Sequence, residues 1–139
     1  MRNRLIFTAI FMFCLSSYGY TQTAMVDRLL KETKVLDGTP EFIGSLIKQE
    51  MASKPAAPQS MEQLIQDEID YKSYFASLRQ LYSMAYSESE MEELIQVFKS
   101  GDIALYKEKS SAVKEDLYRI GADFGRESMR IIQMKLAPY

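Results

Sequence analysis

Residues 81–106 read LYSMAYSESEMEELIQVFKSGDIALY, and the fold class rests on them. Ser87 stands where an N-cap is expected, and Glu90 comes three residues later. In this Ser-x-x-Glu capping box each side chain accepts a hydrogen bond from the other residue's free backbone N–H. Tyr86 before the cap and Met91 after it are spaced for a hydrophobic staple. Met91, Leu94, Ile95 and Phe98 fall at i, i+3, i+4 and i+7, one apolar face of an amphipathic helix. Gly101 stands where a helix ends in a left-handed residue, and Asp102 can cap the next helix. The stretch predicts the end of one helix, a tight turn, a short capped helix, a stop and a new helix.

Outward from this centre, the composition agrees. The chain has 139 residues, enough for one domain and not two. Hydrophobic residues make up 47% and charged residues 26%, which allows a packed core and argues against disorder. With only 6 Gly and 4 Pro to break the chain, helices are favoured over strands and turns. There is no His, which excludes His-based triads, His zinc sites and a histidine pH switch within this chain.

The N-terminus reads as a secretory signal peptide. Arg2 and Arg4 form a positive start, Leu5 to Leu15 is an apolar run broken only by Thr8, and Ser16, Ser17 and Gly19 are small. The run is well short of the roughly 20 apolar residues of a spanning helix, so cleavage after Gly19 or Thr21 is expected rather than a retained anchor. Cys14, the single cysteine, would leave with the leader, taking disulfides and thiol chemistry with it. Of 17 basic residues, loss of Arg2 and Arg4 leaves 15 against 19 acids, so the net charge moves from −2 to −4. Such a balance is a poor match for nucleic acid.

In chain order, residues 24–36 read as a first helix stopped by Asp37-Gly38. Thr39 as N-cap, Pro40 and Glu41 restart a helix to about Ala52, with Phe42, Ile43, Leu46, Ile47 and Met51 on its apolar stripe. Residues 53–59 (SKPAAPQ) are the one linker. The helix pair 22–52 is too small to hold a core alone and should dock on the main helices, 60–136. Ser60 and Gln63 suggest a second capping box, opening a helix over 60–85 of roughly 38 Å. Met61, Leu64, Ile65, Tyr71, Phe75, Leu78 and Tyr82 form its stripe, which Glu68 interrupts. A last helix over 102–136 would reach about 50 Å, and weak helix formers at Ser110-Ser111 mark a kink. Glu115–Arg119 and Arg119–Asp123 are spaced as surface pairs.

The segment from about Leu78 to Phe124 resembles a bacterial exported family described only as domain of unknown function 2059. The family pattern is a tyrosine-bearing helix, a polar turn, a Glu-Glu-Leu helix, an aromatic residue, then Ser and Gly leading into a long helix. Tyr82, Ser87, Glu90, Glu93, Leu94, Phe98, Ser100 and Gly101 match it, and Leu29-Leu30 fits the first helix. The chain departs from it in three places. Lys99 replaces the usual Tyr, the Ser-to-Gly spacing is compressed, and residues 107–112 hold no proline. The resemblance implies an all-helical periplasmic or secreted domain and brings no activity or site.

Four features compete for a functional role. Glu88, Glu90, Glu92 and Glu93 form an acidic cluster, read as complementing a helix N-terminus rather than holding a cation. Aromatic residues are plentiful between Tyr71 and Tyr106, and Met25, Met51, Met61, Met84, Met91, Met129 and Met134 are spread along the mature chain. They can line an adaptable groove or fill the core, and core is preferred. Tyr74 and Met84, off the main stripe, are the candidate ligand or partner surface. Gly121 and Gly125 form G-x-x-x-G, and their cost in a helix predicts close helix packing, within the chain or at a dimer seam. Glu68 is read as lying at the rim of the stripe.

The reading is an all-α, short-loop bundle of about five helices behind a cleaved signal peptide. The expected function is a non-catalytic interaction or binding module of the periplasm or cell envelope. The alternative is a carrier of a lipid or other apolar ligand in a groove between helix 60–85 and helix 102–136. Partners are then a protein or an apolar small molecule, with a homodimer open, and no cofactor or metal is expected. No nucleophile–base pair, phosphate loop or metal-ligand spacing points to an enzyme. Only a carboxylate-only glycosidase, which needs two acids and no motif, escapes this screen.

Overall fold

The computed structural model describes residues 22–139. The apolar leader run, Cys14 and the expected cleavage positions lie outside the described residues. Those residues form an all-α bundle with no strand among them. Helix α1 covers residues 22–32, α2 Val35–Ala52, α3 Met61–Glu68, α4 Tyr71–Ala85, α5 Glu88–Ser100 and α6 Ile103–Lys109. A 3-10 turn, Ser111–Val113, leads into α7, Lys114–Leu136.

The central stretch, residues 81–106, folds as its residues dictate. Ser87 Oγ accepts from the Glu90 N–H at 3.2 Å and Glu90 Oε2 accepts from the Ser87 N–H at 2.7 Å. That reciprocal pair satisfies two of the donors a helix start leaves open. Gly101 ends α5 at φ 79°, the left-handed geometry glycine adopts without penalty. Asp102 caps α6 by accepting from the Leu105 N–H at 3.0 Å.

The buried side chains form two clusters. The first gathers Val26, Leu29 and Leu30 of α1 with Leu78 and Tyr82 of α4, Tyr86, Met91, Leu94 and Ile95 around the turn and α5, and Val113. The second gathers Ile43 and Ile47 of α2, Met61, Ile65 and Ile69 around α3, and Ile131, Ile132 and Leu136 of α7. Helix α7 serves both: Leu117 and Ile120 pack on the first, Phe124 on the second. The N-terminal helix pair therefore spans both clusters: α1 and the start of α2 (Val35, Leu36) pack on the first, and Ile43 and Ile47 of α2 are buried in the second. Exposed ion pairs Asp27–Arg79, Arg28–Glu92 and Glu32–Lys99 also tie α1 to α4 and α5. Each contributes about 0–1 kcal/mol at such exposure.

Several boundaries differ from the sequence expectation. Asp37-Gly38 does not stop a helix, because the Gly38 N–H already donates to the Lys34 carbonyl inside α2. The break comes earlier, at Lys34, which takes a left-handed φ of 65°. Thr39 is not a cap; its hydroxyl donates to the Val35 carbonyl one turn back, at 2.8 Å. Nor do Ser60 and Gln63 form a capping box. Ser60 already has helical dihedrals, and Gln63 donates to Asp67 instead. The expected helix over 60–85 is two helices. Ile69 is extended and buried, and Asp70 starts α4 by accepting from the Ser73 N–H at 2.9 Å. The 102–136 stretch, by contrast, breaks at Ser110–Val113, where Ser110-Ser111 mark the expected kink, and Ser110 Oγ donates to the Tyr106 carbonyl. Phe42 and Leu64, placed on apolar stripes, are exposed. On α7 the ion pairs are Asp116–Arg119, Asp123–Arg126 and Glu127–Arg130, all i,i+3, in place of Glu115–Arg119 and Arg119–Asp123.

Candidate functional site

The seam between the two clusters is filled by aromatic rings. Tyr74 of α4 stacks on Phe124 of α7, with centroids 4.1 Å apart and an interplanar angle of 14°. Tyr71 and Phe75 extend the group. Offset stacked rings of this kind add roughly 0.5–1.5 kcal/mol beyond their burial. The rings fill part of the seam between α4 and α7. Burial pushes the Tyr71 phenol up to about 12. It also raises the Tyr74 phenol, offset in part by a hydrogen bond with Thr39.

Beside this stack lies an open cleft of about 300 Å³, lined from four parts of the chain. The α1–α2 elbow contributes Thr33, Lys34 and Val35. Helix α2 contributes Gly38, Thr39, Phe42 and Ile43, α4 contributes Tyr74, and α7 contributes Gly121, Phe124 and Gly125. The threonine hydroxyls are turned to their own helices: Thr33 donates to the Leu29 carbonyl at 2.7 Å and Thr39 to that of Val35. Lys34 is the single charged residue among the described lining residues, and it has no acidic partner among the described residues. Phe42 presents its ring from α2 at 62% exposure.

The glycines here do not pack closely within the chain, the first of the two expected uses. A Cβ built on Gly121 or Gly125 would meet nothing within 4 Å, and the same holds for Gly38. No atom of a neighbouring helix comes within 4 Å of these Cβ positions. The glycine under a close neighbour is Gly44 of α2, whose Cβ would lie 3.0 Å from Gln66 Nε2. Gln66 is held there by donating to the Pro40 carbonyl and accepting from the Tyr71 hydroxyl. Gly38, Gly121 and Gly125 have negative φ and sit inside helices, where each costs about 1 kcal/mol relative to Ala. What they have in common is the cleft, which their missing side chains keep open.

Of the surface residues singled out from sequence, Tyr74 lines this cleft and Met84 does not. Met84 is 80% exposed on α4. Tyr86, Ser87, Glu90, Met91 and Gly101 belong to the turn and the first cluster. The Tyr86 hydroxyl donates to the Lys109 carbonyl at 2.9 Å. In the acidic cluster, Glu90 is spent on its cap, Glu92 meets Arg28 and Gln96, and Glu93 meets Lys109. Glu68 is exposed and paired with Lys135, as a rim residue is. Sequence reading did not mark Lys34, Gly38, Thr39 or Phe42 as site residues. The available signal was the placement of two adjacent large side chains, Phe42 and Ile43, on one stripe. Neighbours on a helix are about 100° apart, so one of them tends to lie at the edge.

A second, larger concavity of about 760 Å³ lies at the α6–α7 elbow. Its named walls, Lys107, Ser110, Ser111, Lys114, Glu115, Leu117 and Tyr118, come from one short stretch of chain. Most of them are exposed. The smaller cleft is bounded by residues distant in sequence and holds the stacked pair. No described helix is long and apolar enough to cross a membrane, and no group of three or more metal-ligating side chains occurs among the described residues. No family model, curated protein or solved structure matches the chain.

Proposed function

We propose that this protein is an exported, non-catalytic binding module of the periplasm or cell envelope, with the cleft between α2, α4 and α7 as its binding element. The observation that carries the reading is the trio Gly38, Gly121 and Gly125. All three are helical, all three are open at the Cβ position, and all three line one cleft. The volume stands at the small end of the range of about 300–1,000 Å³ for ligand pockets. The lining offers no carboxylate, cysteine or histidine for covalent or acid–base chemistry, which favours binding over catalysis. Export rests on the leader pattern of residues 1–21 and on the resemblance to domain of unknown function 2059 over residues 78–124.

The second reading is a lipid carrier. It is favoured by the larger elbow concavity, where Leu117 and Tyr118 lie beside Lys107 and Lys114. Native mass spectrometry on protein recovered from the exported fraction tests both readings. The binding module predicts a shortened chain and a discrete added mass that denaturation releases and that Gly121→Leu abolishes. An added mass that survives Gly121→Leu favours the elbow. Recovery of the full-length chain from the cytoplasm would overturn the export half of the proposal.

A further inference from the structure

The lining of the α2–α4–α7 cleft has a chemical character narrower than "apolar ligand". Resting on the binding-module reading, we infer that its ligand is a small planar aromatic compound carrying one negative charge, of the aromatic carboxylate class.

The shape argument comes first. The glycines give α2 and α7 bare backbone walls where side chains would otherwise fill the space. Walls without side chains suit a thin, flat body. The Tyr74–Phe124 stack ends at the same cleft with its rings nearly parallel, and Phe42 offers a further ring from α2. Aromatic faces prefer offset stacking and edge contacts with other aromatic rings. A volume of about 300 Å³ accommodates a fused ring and its substituent more readily than a long acyl chain.

Charge supplies the second, independent argument. Lys34 is the only charged side chain on the described lining, and no acidic side chain of the described residues pairs with it. Lys34 is exposed, and of the six described lysines without an ion pair (Lys31, Lys34, Lys54, Lys72, Lys107 and Lys114) it is the one that lines this cleft. An unpaired ammonium at an aromatic cleft selects an anion and disfavours a cation. The two threonine hydroxyls already donate to backbone carbonyls, so they do not compete for the ligand's carboxylate.

The test uses the purified protein and three probes of similar bulk: 2-naphthoate, 2-naphthylmethylamine and decanoate. Calorimetric titration measures affinity, and backbone amide shifts in the unsubstituted protein locate each probe. The expected result is saturable, one-to-one binding of 2-naphthoate with shifts at residues 33–43 and 121–125, and no saturation with the amine. Lys34→Gln should weaken 2-naphthoate about threefold, the size of an exposed charge contact. Gly121→Leu should abolish binding while keeping the helical circular dichroism of the parent, since its Cβ enters open space. If the amine or decanoate binds at the same residues as well as 2-naphthoate does, or Lys34→Gln has no effect, the aromatic-anion assignment is overturned and the binding cleft stands. If none of the three shifts residues of the cleft, both the assignment and the cleft as binding element fall.

Discussion

The first cluster draws six of its buried residues, Leu78, Tyr82, Tyr86, Met91, Leu94 and Ile95, from 18 consecutive positions, and α1 closes over them. The second is assembled almost wholly from isoleucines on three separated segments, α2, the α3 region and the end of α7. One is held by local devices: a capping box, a left-handed glycine and a short turn. The other has no such device on its own residues and exists only when distant helices meet. Local contacts cost little chain entropy to form, whereas pairing residues 43–47 with 131–136 closes a long loop first. The difference teaches that a helical bundle of this size can hide a non-local half behind a locally specified one.

The largest effects should come from the cores. Leu94→Ala in the first cluster and Ile132→Ala in the second should each cost about 2–5 kcal/mol, measured by urea unfolding. Because α7 and the Tyr71–Tyr74–Phe124 group join the clusters, both variants should keep one transition with an unchanged slope. A separate early transition in Ile132→Ala would break the picture of a single cooperative unit. Kinetics sharpen the contrast: Leu94→Ala should mainly slow folding, and Ile132→Ala should mainly speed unfolding.

Next in size is the cap. Ser87→Ala should cost about 0.5–2 kcal/mol, because it leaves the Glu90 N–H without its acceptor. A variant as stable as the parent would mean that the first cluster, and not the turn chemistry, holds α5 in place.

Smaller effects of opposite sign are expected at the cleft. Gly125→Ala should stabilise by about 0.5–1 kcal/mol, since Ala is a better helix former and its methyl meets nothing within 4 Å. Lys34→Gly should also stabilise, by about 1 kcal/mol, by relieving the left-handed backbone of a non-glycine residue. It should at the same time weaken binding of 2-naphthoate. Destabilisation by either change would mean that the seam between the clusters is packed more tightly than its geometry indicates.

The smallest effect concerns pH. The Ser87 N–H bonded to Glu90 holds its carboxyl below the ordinary value of 4.5. A group depressed in the folded state contributes stability that is fully present above its unfolded value and is lost as pH falls through the folded one. Stability should therefore decline below about pH 4.5, and Glu90→Gln should flatten that decline slightly in thermal melts across the acid range. An unchanged acid slope would assign the decline to other carboxylates.

Much of the fold was legible where a residue's partner lies within a few positions. Ser87 with Glu90, Gly101, Asp102 and the stripe Met91-Leu94-Ile95 describe their own surroundings, because capping and helical periodicity act over one or two turns. The same rules misplaced Thr39 and Ser60. A threonine or serine can cap a helix start or bond back one turn, and which it does depends on where the backbone has already turned helical. Ile69-Asp70 was missed because an apolar residue before an Asp reads equally well as continuous helix. The G-x-x-x-G spacing of Gly121 and Gly125 marks an absence of side chains and does not say whether a helix of the same chain or open space lies opposite.

By itself the sequence determined helices without strands over the described residues, their central turn, and the face that α5 buries, since these arise from backbone hydrogen bonding and the 3.6-residue period. Only the tertiary structure decided that α1 joins the first cluster while α2 reaches from the first to the second, that Tyr74 stacks on Phe124, and that Gly38, Gly121 and Gly125 face one cleft beside Lys34. Those relations join residues far apart in the chain, and no local preference encodes a distance that arises only when the helices pack.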